Sequence, residues 1–402
     1  AIDASLTGIA AQNFGRGQGS LFIAMFGSAH VAPVLDINRD ALARGLKDFE
    51  PQIDSGPTNA TIHLVNGEIR PVPAAVGHTL NLDASLQHIL QFASTDLASG
   101  PIELVTTTTQ PEVADVTLLM ARARTLLSSP LRVTAYDPIA DEQVVWTIPP
   151  TQWGSWLSTR DDGSKLTFSV DHDSLAAYFR SQTLTRGRLL NVDESVSAVQ
   201  SALGADSTNS TIRLYNSPTK YQVKARDTIG SIAWSVGIPQ WQIGKANPTI
   251  DMDNLSVGQT ITIPSKDVMV PLPVIPNKRI VVSISRQHMT VYENHQVKWD
   301  WVASTGIPDS PTMAGVFQVQ SHYPQAYAGL WNLNMPNFMG IYDVAPGFTN
   351  GIHGFPTRNG VGLLWENDLG HKVTFGCVLV SSQNAQLLYN WAEDGVVVEI
   401  QP

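Results

Sequence analysis

Two short stretches decide how this chain is read: Gly351-Ile352-His353-Gly354 and, nearer the C-terminus, Thr374-Phe375-Gly376-Cys377-Val378. Cys377 is the only cysteine among 402 residues, so no intrachain disulfide forms and the thiol is available for other chemistry. A glycine just before it opens the backbone to an approaching substrate, so that neighbouring N–H groups can hold a developing oxyanion. A thiol near its reference pKa of about 8.5 is mostly protonated at neutral pH, so a nucleophilic cysteine needs a base. Of the ten histidines, the best placed is His353, also flanked by glycine. His371, in Gly370-His371-Lys372, is a second candidate, in a setting that reads as a solvated turn. On residue type alone, a lone cysteine is more often a small buried side chain than a nucleophile. Cys377 and two histidines lack the close spacing of a metal site, so neither metal nor cofactor is expected.

The composition around this pair is 43% hydrophobic and 15% charged, that of core-forming domains rather than a disordered chain. The 25 Lys+Arg against 35 Asp+Glu give a net charge of −10, with no basic footprint for nucleic acid and none for an anionic membrane surface. No stretch approaches the roughly 18 apolar residues of a membrane helix. The apolar run at 21–26 reads instead as a buried strand between Gly19-Ser20 and Gly27-Ser28. The chain starts at Ala1 with no charged n-region, as expected of a secreted protein whose export signal has been removed or trimmed.

Upstream of the thiol the chain is β-rich. Residues 279–285 alternate like a strand, 288–292 and 296–299 flank a turn at 293–295, and 302–306 and 315–320 add strands. Tyr323, Tyr327, Trp331, Phe338 and Tyr342 form an aromatic-rich segment expected to line a cleft. Its Pro324, Pro336 and Pro346 argue against a long regular element there. Val270-Pro271-Leu272-Pro273-Val274-Ile275-Pro276 reads as a stiff, extended connector. Before it, residues 221–264 read as a β-α-α-β unit. A strand leads to a helix starting at Asp227-Thr228 and ending at Gly237. A second helix, 241–246, stops at Asn247-Pro248, and Gly258-Gln259 turns into the strand 260–263. Ile232, Ile243, Leu255 and Ile263 are its expected core.

The first half contains an internal repeat. Gly77-His78-Thr79-Leu80-Asn81-Leu82-Asp83-Ala84-Ser85 aligns with Gly187-Arg188-Leu189-Leu190-Asn191-Val192-Asp193-Glu194-Ser195, and residues 35–42 align with 168–175. The first copy carries an extra hairpin, 61–65 and 69–72, turning at Asn66-Gly67. Val116, Met120, Ala123 and Leu127 give one helical stripe, and Leu175 with Phe179 another. Asp40, Asp83, Asp173 and Asp193 read as helix caps rather than as catalytic carboxylates.

The expected fold class is multidomain and mixed α+β: two α+β repeats (1–110 and 111–218), the β-α-α-β module (219–266), a linker (267–276) and a mainly β domain (277–402). The repeats resemble the peptidoglycan-binding domain found ahead of L,D-transpeptidases. The module resembles LysM, on Tyr221, Val223, Asp227-Thr228-Ile229, Ile232-Ala233, Gly237, Asn247-Pro248, Leu255, Gly258-Gln259 and Ile263-Pro264. That resemblance implies a groove for N-acetylglucosamine-containing glycan formed by Arg226, Asp227, Thr228 and Ile229 with Pro248, Thr249, Ile250 and Asp251; Arg226 stands where the family has glycine. Residues 277–402 resemble YkuD-type L,D-transpeptidases, on Ile352-His353-Gly354, Leu369-Gly370, Thr374-Phe375-Gly376-Cys377-Val378 and the tail 395–400.

That second resemblance implies a β-sandwich enzyme with Cys377 as nucleophile and His353 as base. Gly376, Thr374, Phe375 and Gly354 would support the oxyanion, and Trp331, Tyr342 and Arg358 the substrate cleft. Phe375 and Leu379 depart from the family, which has polar residues at both positions; Arg358, Asn359 or Lys372 could supply the missing contact. The implied activity is 3→3 crosslinking of peptidoglycan stem peptides in cell-wall biogenesis and cell-shape maintenance, outside the cytoplasm. Water as acceptor would make the protein an L,D-carboxypeptidase instead. A catalytically degenerate wall-binding protein is the reading from a different class.

Overall fold

The computed structural model describes residues 37–402 apart from 66–67, 100 and 162–165. The strand expected at 21–26, the start of the first repeat at 35–36 and the turn Asn66-Gly67 lie outside the described residues. The chain divides into two compact units, residues 1–129 with 151–168 and residues 130–150 with 169–402.

In the first unit, helices Arg39–Ile53, Leu82–Ser99 and Thr117–Leu127 accompany the hairpin Thr61–Val65/Glu68–Val72 and the pair Gly77–Leu80/Thr106–Thr109. Leu46, Leu80, Leu86, Ile89 and Ala93 form its core. The stripe of the third helix is Leu119, Ala123 and Leu126 rather than Met120 and Leu127, which are only half-buried; Val116 and Ala123 are buried as expected.

The aspartates read as caps sit inside the first helical turn instead. The capping side chain comes two residues earlier every time: Asn38 accepts from the Ala41 N–H, Asn81 from Ala84, Asp171 from Ser174 and Asn191 from Glu194. Each such cap is worth about 1 kcal/mol. The aspartates interact with the positive end of the helix dipole rather than with a particular N–H.

The second unit opens with a four-stranded sheet in the order Glu142–Ile148, Leu131–Asp137, Asn209–Asn216, Arg188–Leu190, whose two central strands run parallel. Helices His172–Ser181 and Val192–Gly204 accompany it, with Leu175 and Phe179 fully buried. Arg188 is buried at one edge between Asp137 (2.8 Å) and Glu142 (2.6 Å).

The small module follows as β1 (Thr219–Gln222), α1 (Ile229–Val236), α2 (Gln240–Lys245) and β2 (Thr260–Ile263), with β1 and β2 antiparallel. Thr228 and Ser231 form a reciprocal capping box at the start of α1, and Gly237, at φ +71°, ends it. Ile232, Ile243 and Ile263 are buried, and Leu255 packs at the margin. This core is continuous with that of the C-terminal domain. A Cβ on Gly237 would lie 2.6 Å from the Ala314 carbonyl, and one on Gly315 would lie 3.0 Å from the Gly237 carbonyl, so the two backbones touch. Trp241 Nε1 donates to the Asp343 carbonyl at 2.9 Å.

The connector is therefore not a free spacer. Met269 and Val270 are buried, and the Gln318 amide bonds Leu272 at both its N–H (2.8 Å) and its carbonyl (3.0 Å). Its prolines keep the chain extended, and the Ile275 N–H donates to the Gly395 carbonyl at 3.2 Å.

The C-terminal domain runs β3 (Lys278–Ser283), β4 (His288–Glu293), β5 (Gln296–Val302), β6 (Thr305–Gly306), β7 (Gly315–Gln318), β8 (Ser321–Ala328), β9 (Leu333–Ala345), β10 (Phe348–His353), β11 (Thr357–Arg358), β12 (Val361–Gly362), β13 (Lys372–Thr374), β14 (Val378–Leu379), α3 (Ser382–Trp391) and β15 (Val397–Gln401). One sheet has the order β5-β4-β3-β15-β7. The other is β12-β11-β9-β10-β14, with β8 also paired to β9. Ile280, Val282, Val291, Phe317 and Val398 of the first share one core with Met339, Ile341, Ile352 and Val378 of the second.

The aromatic segment, expected to be irregular, is the long β8–β9 hairpin. Pro324 is tolerated because β8 is an edge strand and the pairing skips it opposite Asn337, which sits at φ +51°, while Pro336 pairs with Gln325 inside β9 and Pro346 lies between β9 and β10. Among the described residues no helix is long and apolar enough to cross a membrane.

Candidate active site

Strands β10 and β14 are parallel neighbours, with Ile352 opposite Val378 and His353 opposite Leu379. That register lays the segment before β14 alongside Asn350-Gly351, where the Gly351 N–H favours the thiolate form of Cys377. Cys377 and His353 line a single cleft of about 250 Å³ together with Asn350, Thr374, Phe375, Trp331 and Arg358. Leu333, Met335, Phe348 and Leu363 make the rest of it apolar.

His353 is 4% exposed, and its Nδ1 lies 2.7 Å from the Gly354 carbonyl. A carbonyl only accepts, so Nδ1 carries the proton in the neutral ring and Nε2 keeps a free lone pair. Phe338 stacks against the ring at 6.2 Å. Burial pushes the imidazole pKa down to about 4, outweighing the opposing effect of the Gly354 bond. Burial likewise pushes the Cys377 thiol up to about 11, against the pull of the Gly351 N–H. Both groups are therefore neutral at rest, a thiol and an unprotonated base in one cleft rather than a thiolate–imidazolium pair.

The loop carrying the thiol is clamped from both sides. Thr374 Oγ1 donates to the Cys377 carbonyl (2.6 Å) and accepts from the Gly376 N–H (3.3 Å), while Thr312 Oγ1 donates to the Gly376 carbonyl (2.9 Å). Gly376 sits at φ +111°, and a Cβ there would lie 2.8 Å from Asn350 Nδ2, so only glycine fits. Its N–H, expected to face substrate, is instead engaged by Thr374. Gly354 is a support of another kind, fixing the His353 ring through its carbonyl and donating its N–H to Pro336.

Phe375 stacks on Trp331 at 5.2 Å, nearly parallel, and Trp331 in turn meets Phe348 at 5.6 Å, forming an aromatic wall. Arg358 hooks onto this wall through Nε, which donates to the Trp331 carbonyl (3.2 Å). Tyr342, expected in the cleft, is 1% exposed and lies beneath it, stacked on Phe317, because its register on β9 points it into the core between the sheets. His371 is exposed on a turn and does not line the cleft.

In the small module, Arg226 adopts φ +72°, the left-handed conformation that glycine enters most easily. Asp227 is committed to the Lys224 N–H (2.7 Å) and the Tyr221 hydroxyl (2.8 Å), and Thr228 to capping α1. Ile229 and Ile250 pack against the core. Arg226, Thr228, Pro248, Thr249 and Asp251 are exposed. Asn350 escaped the sequence reading. The available signal was an amide next to the Gly351-Ile352-His353-Gly354 stretch.

Three family models match the chain: the L,D-transpeptidase catalytic domain (YkuD) at residues 277–400, the LysM domain at 221–264, and the "Putative peptidoglycan binding domain" at 7–97, in the order the sequence predicts. The "Putative L,D-transpeptidase YkuD" of Bacillus licheniformis is 25% identical over 186 residues, covering 45% of this chain and 98% of that protein. An L,D-transpeptidase from Mycobacterium smegmatis aligns at 19% identity with a TM-score of 0.27, over 37% of this chain and 65% of its own. An Enterococcus faecium L,D-transpeptidase mutant aligns at 17% identity and a TM-score of 0.29, over 71% and 100%.

Proposed function

We propose that the protein is a peptidoglycan L,D-transpeptidase that forms 3→3 crosslinks through a Cys377 acyl-enzyme on tetrapeptide stems. The observation that carries this reading is the shared cleft of Cys377 and His353, with the imidazole held so that Nε2 is the base. Nε2 takes the thiol proton as the sulfur attacks the carbonyl of the third stem residue. The developing oxyanion is met by the Cys377 N–H, since that of Gly376 is engaged by Thr374.

The C–N bond then breaks, and His353 gives its proton to the departing D-alanine amine, leaving a thioester. The side-chain amine of a second stem attacks that thioester. His353 accepts its proton and returns it to the sulfur as the C–S bond breaks. The neutral resting pair suits this sequence, because charge separates only while a carbonyl is present to take up the electrons.

The LysM module and the repeats would hold glycan and stem close to the cleft, in an extracytoplasmic setting. The test is incubation with imipenem followed by intact-mass measurement. The wild type gains one acyl adduct and the Cys377→Ala variant none. A wild type without adduct, or an acylated variant, overturns the assignment. With disaccharide-tetrapeptide alone and then with an added acceptor stem, mass spectrometry separates the crosslinked product from the tripeptide that water would give.

A further inference from the structure

The polar groups around the sulfur are few. Phe375 turns away to stack on Trp331, Leu379 is fully buried, and the Thr374 hydroxyl is spent on the Cys377 carbonyl. What remains beside the sulfur is Asn350, itself 4% exposed, with Oδ1 at 3.8 Å from Cys377 Sγ. Its orientation has a visible cause. Asn350 Nδ2 donates to the Tyr342 hydroxyl at 3.0 Å, and that hydroxyl is fixed in turn by the Met313 N–H at 3.3 Å and by the ring stacked on Phe317. With Nδ2 engaged there, the carbonyl oxygen faces the sulfur, and an amide oxygen only accepts, so the S–H must donate.

We propose that Asn350 is the positioning residue of the thiol: it holds the resting S–H on its amide oxygen, with Tyr342 as the anchor that aims it, and releases the sulfur to His353 when substrate enters. This rests on Cys377 being the nucleophile. An amide oxygen favours S–H over thiolate, so the arrangement also keeps an exposed cleft from presenting a reactive thiolate to adventitious electrophiles.

The test reads the thiol directly, as the pH profile of Cys377 alkylation by iodoacetamide, beside the rate of acylation by imipenem. Asn350→Asp places a carboxylate at the same point and moves the alkylation midpoint upward, slowing alkylation at fixed pH at least tenfold. Asn350→Ala removes the acceptor and moves the midpoint downward. Tyr342→Phe leaves Asn350 in place but frees its amide, shifting the midpoint in the same direction as Asn350→Ala by a smaller amount. All three lose imipenem acylation, the Asn350 variants at least tenfold. Opposite shifts for Asp and Ala support the contact. Unchanged midpoints, or shifts of one sign with only a lower melting temperature, overturn it. A wild type that alkylates but takes no imipenem removes the acyl-transfer reading, while the alkylation midpoints still decide the contact.

Discussion

Two regions of the second unit bury polar groups in opposite ways. In the four-stranded sheet, Arg188 and Asp137 are almost fully buried as ions, 2.8 Å apart, with Glu142 adding a second carboxylate. Hydrogen bonds from Arg188, then Arg186, hold the Glu142 carboxyl below its usual range, and the bond to Glu142 leads those that raise Arg188. In the cleft, His353 is buried and Cys377 half-buried, neither with a charged partner, and each keeps its neutral form. A paired ion survives burial, whereas an unpaired titratable group gives up its charge. The first arrangement holds two charges in place; the second holds two neutral groups that can exchange a proton.

The largest effect should come from the cleft. His353→Gln keeps a polar side chain but removes the base, and imipenem acylation should fall by about 10²–10⁴-fold. A fall of less than threefold in stopped-flow acylation would mean that another group takes the proton. Next is the ion pair. Arg188→Leu leaves Asp137 buried without its cation and should cost about 3–5 kcal/mol in urea denaturation. A cost near zero would show that the Ile139 and Ala140 N–H groups, which also bond Asp137, suffice.

The smallest effect is the dependence of stability on pH. The folded imidazole titrates near 4 against 6.5 in the unfolded chain, so between those values the unfolded state binds more protons. Stability should therefore fall as pH drops from 6.5 to 4, by at most about 1.4 kcal/mol per pH unit from this group. The His353→Gln variant should lack that increment. Equal slopes for the variant and the wild type would contradict the neutral burial.

The same contrast explains what was legible in the sequence. The start of α1 at Thr228, its stop at Gly237 and the strand Thr260–Ile263 rest on caps, glycines and turns within a few residues, and they sit where those local signals place them. Cys377 and His353 were legible as a pair because glycines mark both. Asn350 was not, since its meaning comes from strand register, which brings it to a sulfur far along the chain. Pro324 in the β8–β9 hairpin misled for a related reason: whether a proline breaks a strand depends on which edge is free. The helix caps were missed by two positions because Asp in a first turn and Asx at the cap leave similar traces.

The contact between Gly237 and Gly315 has a consequence for how such chains can be rearranged. Because the two backbones meet with no room for a side chain on either, the small module is not an exchangeable cassette on the C-terminal domain. Anything seated on its loops would be held at a set span from the sulfur, and tension along it would reach the two sheets through rigid backbone rather than slack linker. Any graft that replaces either glycine would unseat the module.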